Sequence, residues 1–93
     1  MIGYDWDEKK ARANLKNHKV SFEEGATIFN DLFHATIPDI EHSIDEDRYI
    51  SIGMSVKGRM LVVVHTERGE TTRIISCRKA TSDEREKYEK GNY

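Results

Sequence analysis

His65, Arg73, Arg78 and Lys79 stand within or at the end of two runs, from Arg59 to Lys79, that are otherwise rich in Val, Ile and Leu. A strand that serves only a core has little use for cations between its isoleucines. A strand whose open face must hold a phosphodiester does. Arginine presents a planar fork that matches phosphate oxygens, and it can stabilise charge developing in a pentacovalent phosphoryl transition state. An imidazole can move a proton near neutral pH. Arg59 begins the first run after a glycine turn, where its guanidinium could reach over the sheet. The candidate catalytic set is therefore Arg59, His65, Arg73 and Arg78. Each has a plainer reading: an edge ion pair, a solvated arginine, a turn residue, or a histidine satisfied in a core. The odd spacing of Arg73 and Arg78 puts them on opposite faces if pairing is regular. Either a bulge intervenes, or Arg78 already belongs to the strand end.

A second tier of residues could touch RNA at the rim. Trp6 could stack on a base, though a lid on a helix–sheet core explains it as well. Lys16 and His18 end the first helical stretch, where a favourable helix dipole already accounts for cations. Lys79 closes the last strand. The four histidines and Cys77 form no metal-ligand spacing, so neither a metal nor another cofactor is expected. There is no glycine-rich phosphate loop and no serine-nucleophile elbow. The carboxylates of Asp39–Asp47 lack the glycine and terminal glutamate of a calcium loop, and read as a solvated charge run. Cys77 is the only cysteine. It reads as a buried, inert thiol in a reducing compartment.

These side chains need elements to position them. Met1 to Asp5 is a first strand or a lead-in. Asp5, with Glu8 as its capping-box partner, opens a helix over Asp7 to His18, with Ala11, Leu15 and His18 on one face. Ser21-Phe-Glu-Glu24 is a second capping box, for a helix reaching about Asn30. Capping accounts for Glu23 and Glu24. His34 to Pro38, Arg48 to Ser55, Met60 to Glu67 and Thr71 to Cys77 read as strands, the last two joined as an antiparallel hairpin by Glu-Arg-Gly-Glu. Thr81 caps a last helix that runs to about Lys90 and stops at Gly91. Consecutive strands with short turns imply an antiparallel meander, and segregated helices make the class α+β. The expectation is two N-terminal helices packed on that meander, plus a C-terminal helix.

The 93 residues suffice for one domain, 1–93, and are 37% hydrophobic and 34% charged. No apolar run approaches the roughly 20 residues of a membrane span. The start, Met1-Ile-Gly-Tyr-Asp-Trp-Asp7, has neither the basic nor the apolar part of a signal peptide, so the cytoplasm is the expected site. Net charge is −2, which argues against nucleic-acid binding by bulk charge. Its distribution matters more. Residues 1–56 carry 6 basic and 11 acidic side chains, and residues 57–93 carry 9 and 6. No helix concentrates base-reading cations, so direct DNA binding is not expected.

Several blocks together resemble one family. Tyr4-Asp-Trp-Asp7, Lys9 and Lys10, Ala13-Asn-Leu-Lys-Asn-His18 and Val20-Ser-Phe-Glu-Glu24 look like the opening of the BrnT toxins. Thr36-Ile-Pro-Asp39, Asp47-Arg-Tyr-Ile-Ser-Ile-Gly53, Leu61-Val-Val-Val-His-Thr66, Arg73-Ile-Ile-Ser-Cys-Arg-Lys-Ala80 and Glu84-Arg-Glu-Lys-Tyr-Glu89 continue the likeness over nearly the whole chain. The resemblance implies a type II toxin with a RelE- or barnase-like fold: a small ribonuclease that stops translation. It implies as partners an RNA substrate and a DNA-binding BrnA-like antitoxin, with DNA reached only through the antitoxin and no membrane involved. The expected chemistry is metal-free attack by a 2′-hydroxyl, leaving a cyclic phosphate. The chain departs from the wider toxin group in being net acidic, and in having Cys77 where small residues are common. The alternative is a catalytically silent protein whose basic face seats an antitoxin or nucleic acid.

Overall fold

The computed structural model describes residues 3–91; Met1, Ile2, Asn92 and Tyr93 lie outside the described residues. The elements run β1 (Gly3–Trp6), α1 (Glu8–His18), α2 (Phe22–Ala26), a 3-10 turn (Thr27–Asn30), β2 (Ala35–Pro38), a 3-10 turn (Ile40–His42), β3 (Arg48–Met54), β4 (Met60–Arg68), β5 (Thr71–Lys79) and α3 (Ser82–Glu89). Strands β2 to β5 form the expected meander, with all three neighbouring pairs antiparallel. The sheet as a whole is mixed. Its order is β1-β5-β4-β3-β2, and β1 lies parallel to β5, with Gly3 beside Thr71 and Trp6 beside Ile74. The expectation of a purely antiparallel sheet is corrected here. The partner of β1 comes from the far end of the chain, and no local pattern announces it. The hairpin turn between β4 and β5 has Gly69 at φ +64°, which a side chain would resist.

Helices α1 and α2 cover one face of the sheet. Their core is Val20, Phe22, Ile28, Leu61, Val63, Ile74 and Cys77, with Trp6, Ala11, Ala26 and Phe29 at its margin. Burial of these groups supplies the main driving force for so short a pair of helices. The N-cap of α1 is Asp7, not the expected Asp5; its carboxylate accepts from the backbone N–H of Lys9 and Lys10. Asp5 is a strand residue instead. Lys19 ends α1 in the left-handed region, at φ 59°. Asn14, inside α1, is buried and reaches the sheet. Its amide donates to the Cys77 carbonyl (2.8 Å) and accepts from the Cys77 N–H (3.2 Å). Strand β1 pairs β5 only as far as Ile74. Beyond it, Asn14 satisfies one residue of the open edge, as a further strand would.

Ser21 caps α2, but Glu24 does not complete a capping box with it. Its carboxylate turns to Ser55 and Arg59 instead. The expected single helix to Asn30 is an α-helical turn followed by a 3-10 turn. Gly25 lets α2 come close to β5: a Cβ there would stand 2.8 Å from the Cys77 Sγ. On the other face, Ile52, Met60 and Val62 form a smaller core beneath Ala80 and Tyr88 of the C-terminal segment. The capping box of α3 is complete, between Thr81 and Glu84.

Candidate active site

One irregularity in β5 decides which side chains meet. Val64 faces Ser76, but His65 faces Ile74, so Ile75 is an extra residue without a partner. This bulge resolves the odd spacing of the two arginines. Arg73 pairs with Thr66 and Arg78 with Val62, four residues apart on β4, so both arginines share the face opposite α1 and α2. His65 lies on the other face. The sequence-derived catalytic set is therefore not one constellation.

A cleft of about 400 Å³ on the arginine face is lined by Lys10, Arg48, Arg68, Arg73, Thr66 and His42, with Ile44, Asp45, Glu46 and Ile75. Its cations come from α1, β3, β4 and β5. Among the described residues, two buried side-chain atoms have no hydrogen-bond partner, Arg48 Nε and Thr66 Oγ1. Both belong to this cleft. A buried polar atom left unpaired costs about 1–3 kcal/mol. Arg73 lies 3.3 Å from Asp5, a half-exposed pair that an anion could displace. Arg68 makes two hydrogen bonds with Glu46 (2.8 and 2.9 Å).

The loop after β2 closes this cleft. Most of its residues are exposed, as a solvated charge run would be, and it folds back through Ser43. The Ser43 hydroxyl donates to the Asp39 carbonyl (2.7 Å) and accepts from the Arg48 N–H (2.9 Å). The turn presents His42, whose Nδ1 lies 3.0 Å from both oxygens of Asp39. A carboxylate at Nδ1 holds that proton there and leaves Nε2 free to accept one. Side-chain exposure of His42 is 60%, so Nε2 can meet a substrate.

His65 is 3% exposed, and both ring nitrogens are engaged: Nε2 with Ser51 (2.7 Å) and Nδ1 with Glu67 (2.6 Å). Burial lowers its pKa, so the ring is neutral at neutral pH. Arg59 pairs with the buried Glu24 and donates to the Lys19 carbonyl. The hydrogen bond from Arg59 is the chief reason the Glu24 carboxyl sits below its usual range. Arg78 makes a two-pronged contact with Glu84 of α3 (2.7 and 2.9 Å), which pulls the Glu84 carboxyl down to about 2. Trp6 is half-buried, edge-on to Phe22, with its indole N–H donating to Glu8. Lys16, His18 and Lys79 are exposed. Burial pushes the Cys77 thiol up to about 12, consistent with an inert group.

A family model described as the ribonuclease toxin BrnT of type II toxin–antitoxin systems matches residues 6–84. The chain belongs to the BrnT family. The crystal structure of the Brucella abortus ribonuclease toxin BrnT has the same fold. The TM-score is 0.68 at 22% identity, over 88% of this chain and 100% of that one. No curated protein matches. A type II BrnT toxin has an antitoxin for a partner. Among the described residues of this BrnT chain, no helix is long and apolar enough to cross a membrane.

Of the sequence-derived catalytic candidates, Arg73 lines the cleft; Lys10, His42, Arg48, Thr66 and Arg68 line it too and were not among them. The pairs Asp39-x-x-His42 and Ser43 with Arg48 were visible signals. Dense neighbouring carboxylates masked them as a plain solvated loop.

Proposed function

We propose that this BrnT chain is a metal-independent endoribonuclease whose scissile phosphate sits in the cleft of Arg48, Arg68, Arg73 and Lys10. The observation that carries this reading is the gathering of Lys10, Arg48, Arg68 and Arg73 around one cleft, two of whose lining residues hold the unpartnered buried atoms Arg48 Nε and Thr66 Oγ1. His42 Nε2 takes the proton of the ribose 2′-hydroxyl as its oxygen attacks phosphorus. The P–O5′ bond breaks, and the leaving oxygen gains a proton from the protonated His42 or from water. The products are a 2′,3′-cyclic phosphate and a 5′-hydroxyl. Arg48 and Arg73 neutralise the charge that builds on the equatorial oxygens. Of the sequence-derived residues, Arg73 keeps a catalytic role. Arg59, His65 and Arg78 position elements, and Trp6, Lys16, His18 and Lys79 remain candidates for contact with flanking RNA.

Cleavage of messenger RNA in the cytoplasm would stop translation, and a BrnA-like antitoxin would neutralise the toxin by covering the cationic cleft. DNA contact would belong to the antitoxin. The wider kinship with RelE-like toxins belongs to the same proposal. The test is RNA cleavage by purified protein in excess EDTA, with product ends analysed. Cleavage that leaves 2′,3′-cyclic phosphate supports the reading. Activity that disappears with chelator and returns with one divalent ion overturns it.

A further inference from the structure

Behind the cationic cleft, across the same strands, lies a second cavity of about 550 Å³. That volume falls within the roughly 300–1,000 Å³ of small-molecule sites. Adjacent residues line the two: Arg48 and Tyr49, Thr66 and His65, Arg73 and Thr72. The second cavity differs in chemistry. Its walls are rings. Tyr4 stacks on Phe29 with centroids 5.8 Å apart, and Tyr49 on His65 at 5.8 Å. Phe29 stands edge-on to His65 (5.1 Å) and to His34 (5.6 Å). No lysine or arginine lines it. A phosphate has no partner there. A planar, uncharged ring does.

The one carboxylate of this pocket is Glu67, whose side chain is 45% exposed. A file of hydrogen bonds converges on it. Thr36 Oγ1 meets Ser51 Oγ at 2.6 Å, and Ser51 Oγ meets His65 Nε2 at 2.7 Å. His65 Nδ1 meets one Glu67 oxygen at 2.6 Å, and the Thr72 hydroxyl donates to the other at 2.8 Å. With the imidazole neutral and its proton on Nδ1, Nε2 must accept from Ser51, so every donor points toward Glu67. Each carboxylate oxygen receives one protein donor and keeps a lone pair. Glu67 is therefore fixed in direction, partly open to solvent, and able only to accept.

The matching ligand is a flat ring with two parallel N–H donors on one edge. Guanine has them, at N1 and N2. Adenine and cytosine place an acceptor beside their amine, and uracil flanks its single N–H with two carbonyls. We propose that this pocket binds a guanine base, with Glu67 accepting from N1–H and N2–H and the rings of Tyr4, Phe29 and Tyr49 stacking against it. As an RNA specificity site the pocket rests on the ribonuclease reading above, whereas base binding itself does not.

The test uses the full chain with guanosine, inosine, adenosine and cytidine, nucleosides that carry no phosphate for the other cleft. Binding is followed by the NMR signals of the Tyr49 and His65 rings. Guanosine should shift them at millimolar concentration. Inosine, which lacks the N2 amine, should bind about 5- to 150-fold more weakly, the discrimination expected of a bidentate pair. Adenosine and cytidine should leave the signals in place. Glu67→Gln should abolish the preference for guanosine with the fold intact. Should that variant fail to fold, Tyr4→Leu, at the exposed wall, should weaken guanosine binding and keep the preference. Arg73→Ala should bind guanosine as the parent does. If that variant also fails to cleave RNA, the two sites are separate. Guanosine binding by a parent that cuts no RNA would leave the pocket standing and remove the ribonuclease reading. Equal binding of the four nucleosides, no binding by folded protein, or an unchanged preference in Glu67→Gln would overturn the proposal.

Discussion

At the scale of single residues, the same side-chain type has separate duties on the two faces and at the ends of this sheet. Arg73 faces a cleft with orphaned polar atoms, whereas Arg78 is gripped by Glu84. Removing the first should cost activity and not fold. Arg73→Ala and His42→Ala should each lower the cleavage rate about 30- to 1000-fold, the loss of 2–4 kcal/mol of transition-state stabilisation. Their circular-dichroism spectra should match the parent. Parent-like rates in both would remove the cleft from the mechanism. The Arg78–Glu84 pair is read by pH. Glu84 has its carboxyl depressed to about 2 from an ordinary 4.5, mainly by the hydrogen bond from Arg78. A depressed carboxyl contributes stability above the unfolded pKa and loses it as pH falls toward the folded one. Thermal midpoints of the parent should therefore fall between about pH 4.5 and pH 2, and in Glu84→Gln that decline should be shallower. Equal slopes would show that the pair contributes nothing to stability.

At the scale of elements, the helix face depends on one close contact. Any side chain at position 25 presses on Cys77, so Gly25→Ala should destabilise the fold by about 1–3 kcal/mol, as overpacked cores do. Cys77→Ala should recover most of that loss in the double variant, as measured by urea unfolding. Additive losses would place the strain elsewhere. Arg59→Ala should destabilise the fold, because it leaves the buried Glu24 carboxylate without its partner. Loss of toxicity in that variant then reports unfolding unless soluble, folded protein is assayed. Local elements were legible in the sequence because their signals are local: the capping box at Thr81, the glycine turn of the β4–β5 hairpin, the alternation of β3. What needed the third dimension was long-range. The parallel docking of β1, the edge-filling role of Asn14 and the partnership of Glu24 with Arg59 all join distant positions. The bulge at Ile75 was visible only as an ambiguity in the spacing of Arg73 and Arg78.

At the scale of the whole molecule, the candidate site was half legible. Cations among isoleucines marked the β4–β5 hairpin, and period-2 spacing alone could not say which face each would take. The cleft is filled from both halves of the chain, since Lys10, His42 and Arg48 come from the net-acidic half. Local charge density therefore misdirects attention from the loop that supplies His42. With a net charge of −2, long-range attraction to RNA is weak, and affinity must come from short-range contacts inside the cleft. The most direct test of the account lies in the two orphaned polar groups. If Arg48 Nε and Thr66 Oγ1 are held unpaired for a phosphate, apolar replacements of similar shape relieve the free protein and harm the enzyme. The decisive measurement is the RNA cleavage rate of the Thr66→Val, Arg48→Met double variant in excess EDTA, beside its thermal midpoint. The expected result is a midpoint equal to or above the parent's, with cleavage reduced at least about 100-fold, the scale of losing transition-state contacts. A stable double variant that cleaves RNA at the parental rate would contradict it.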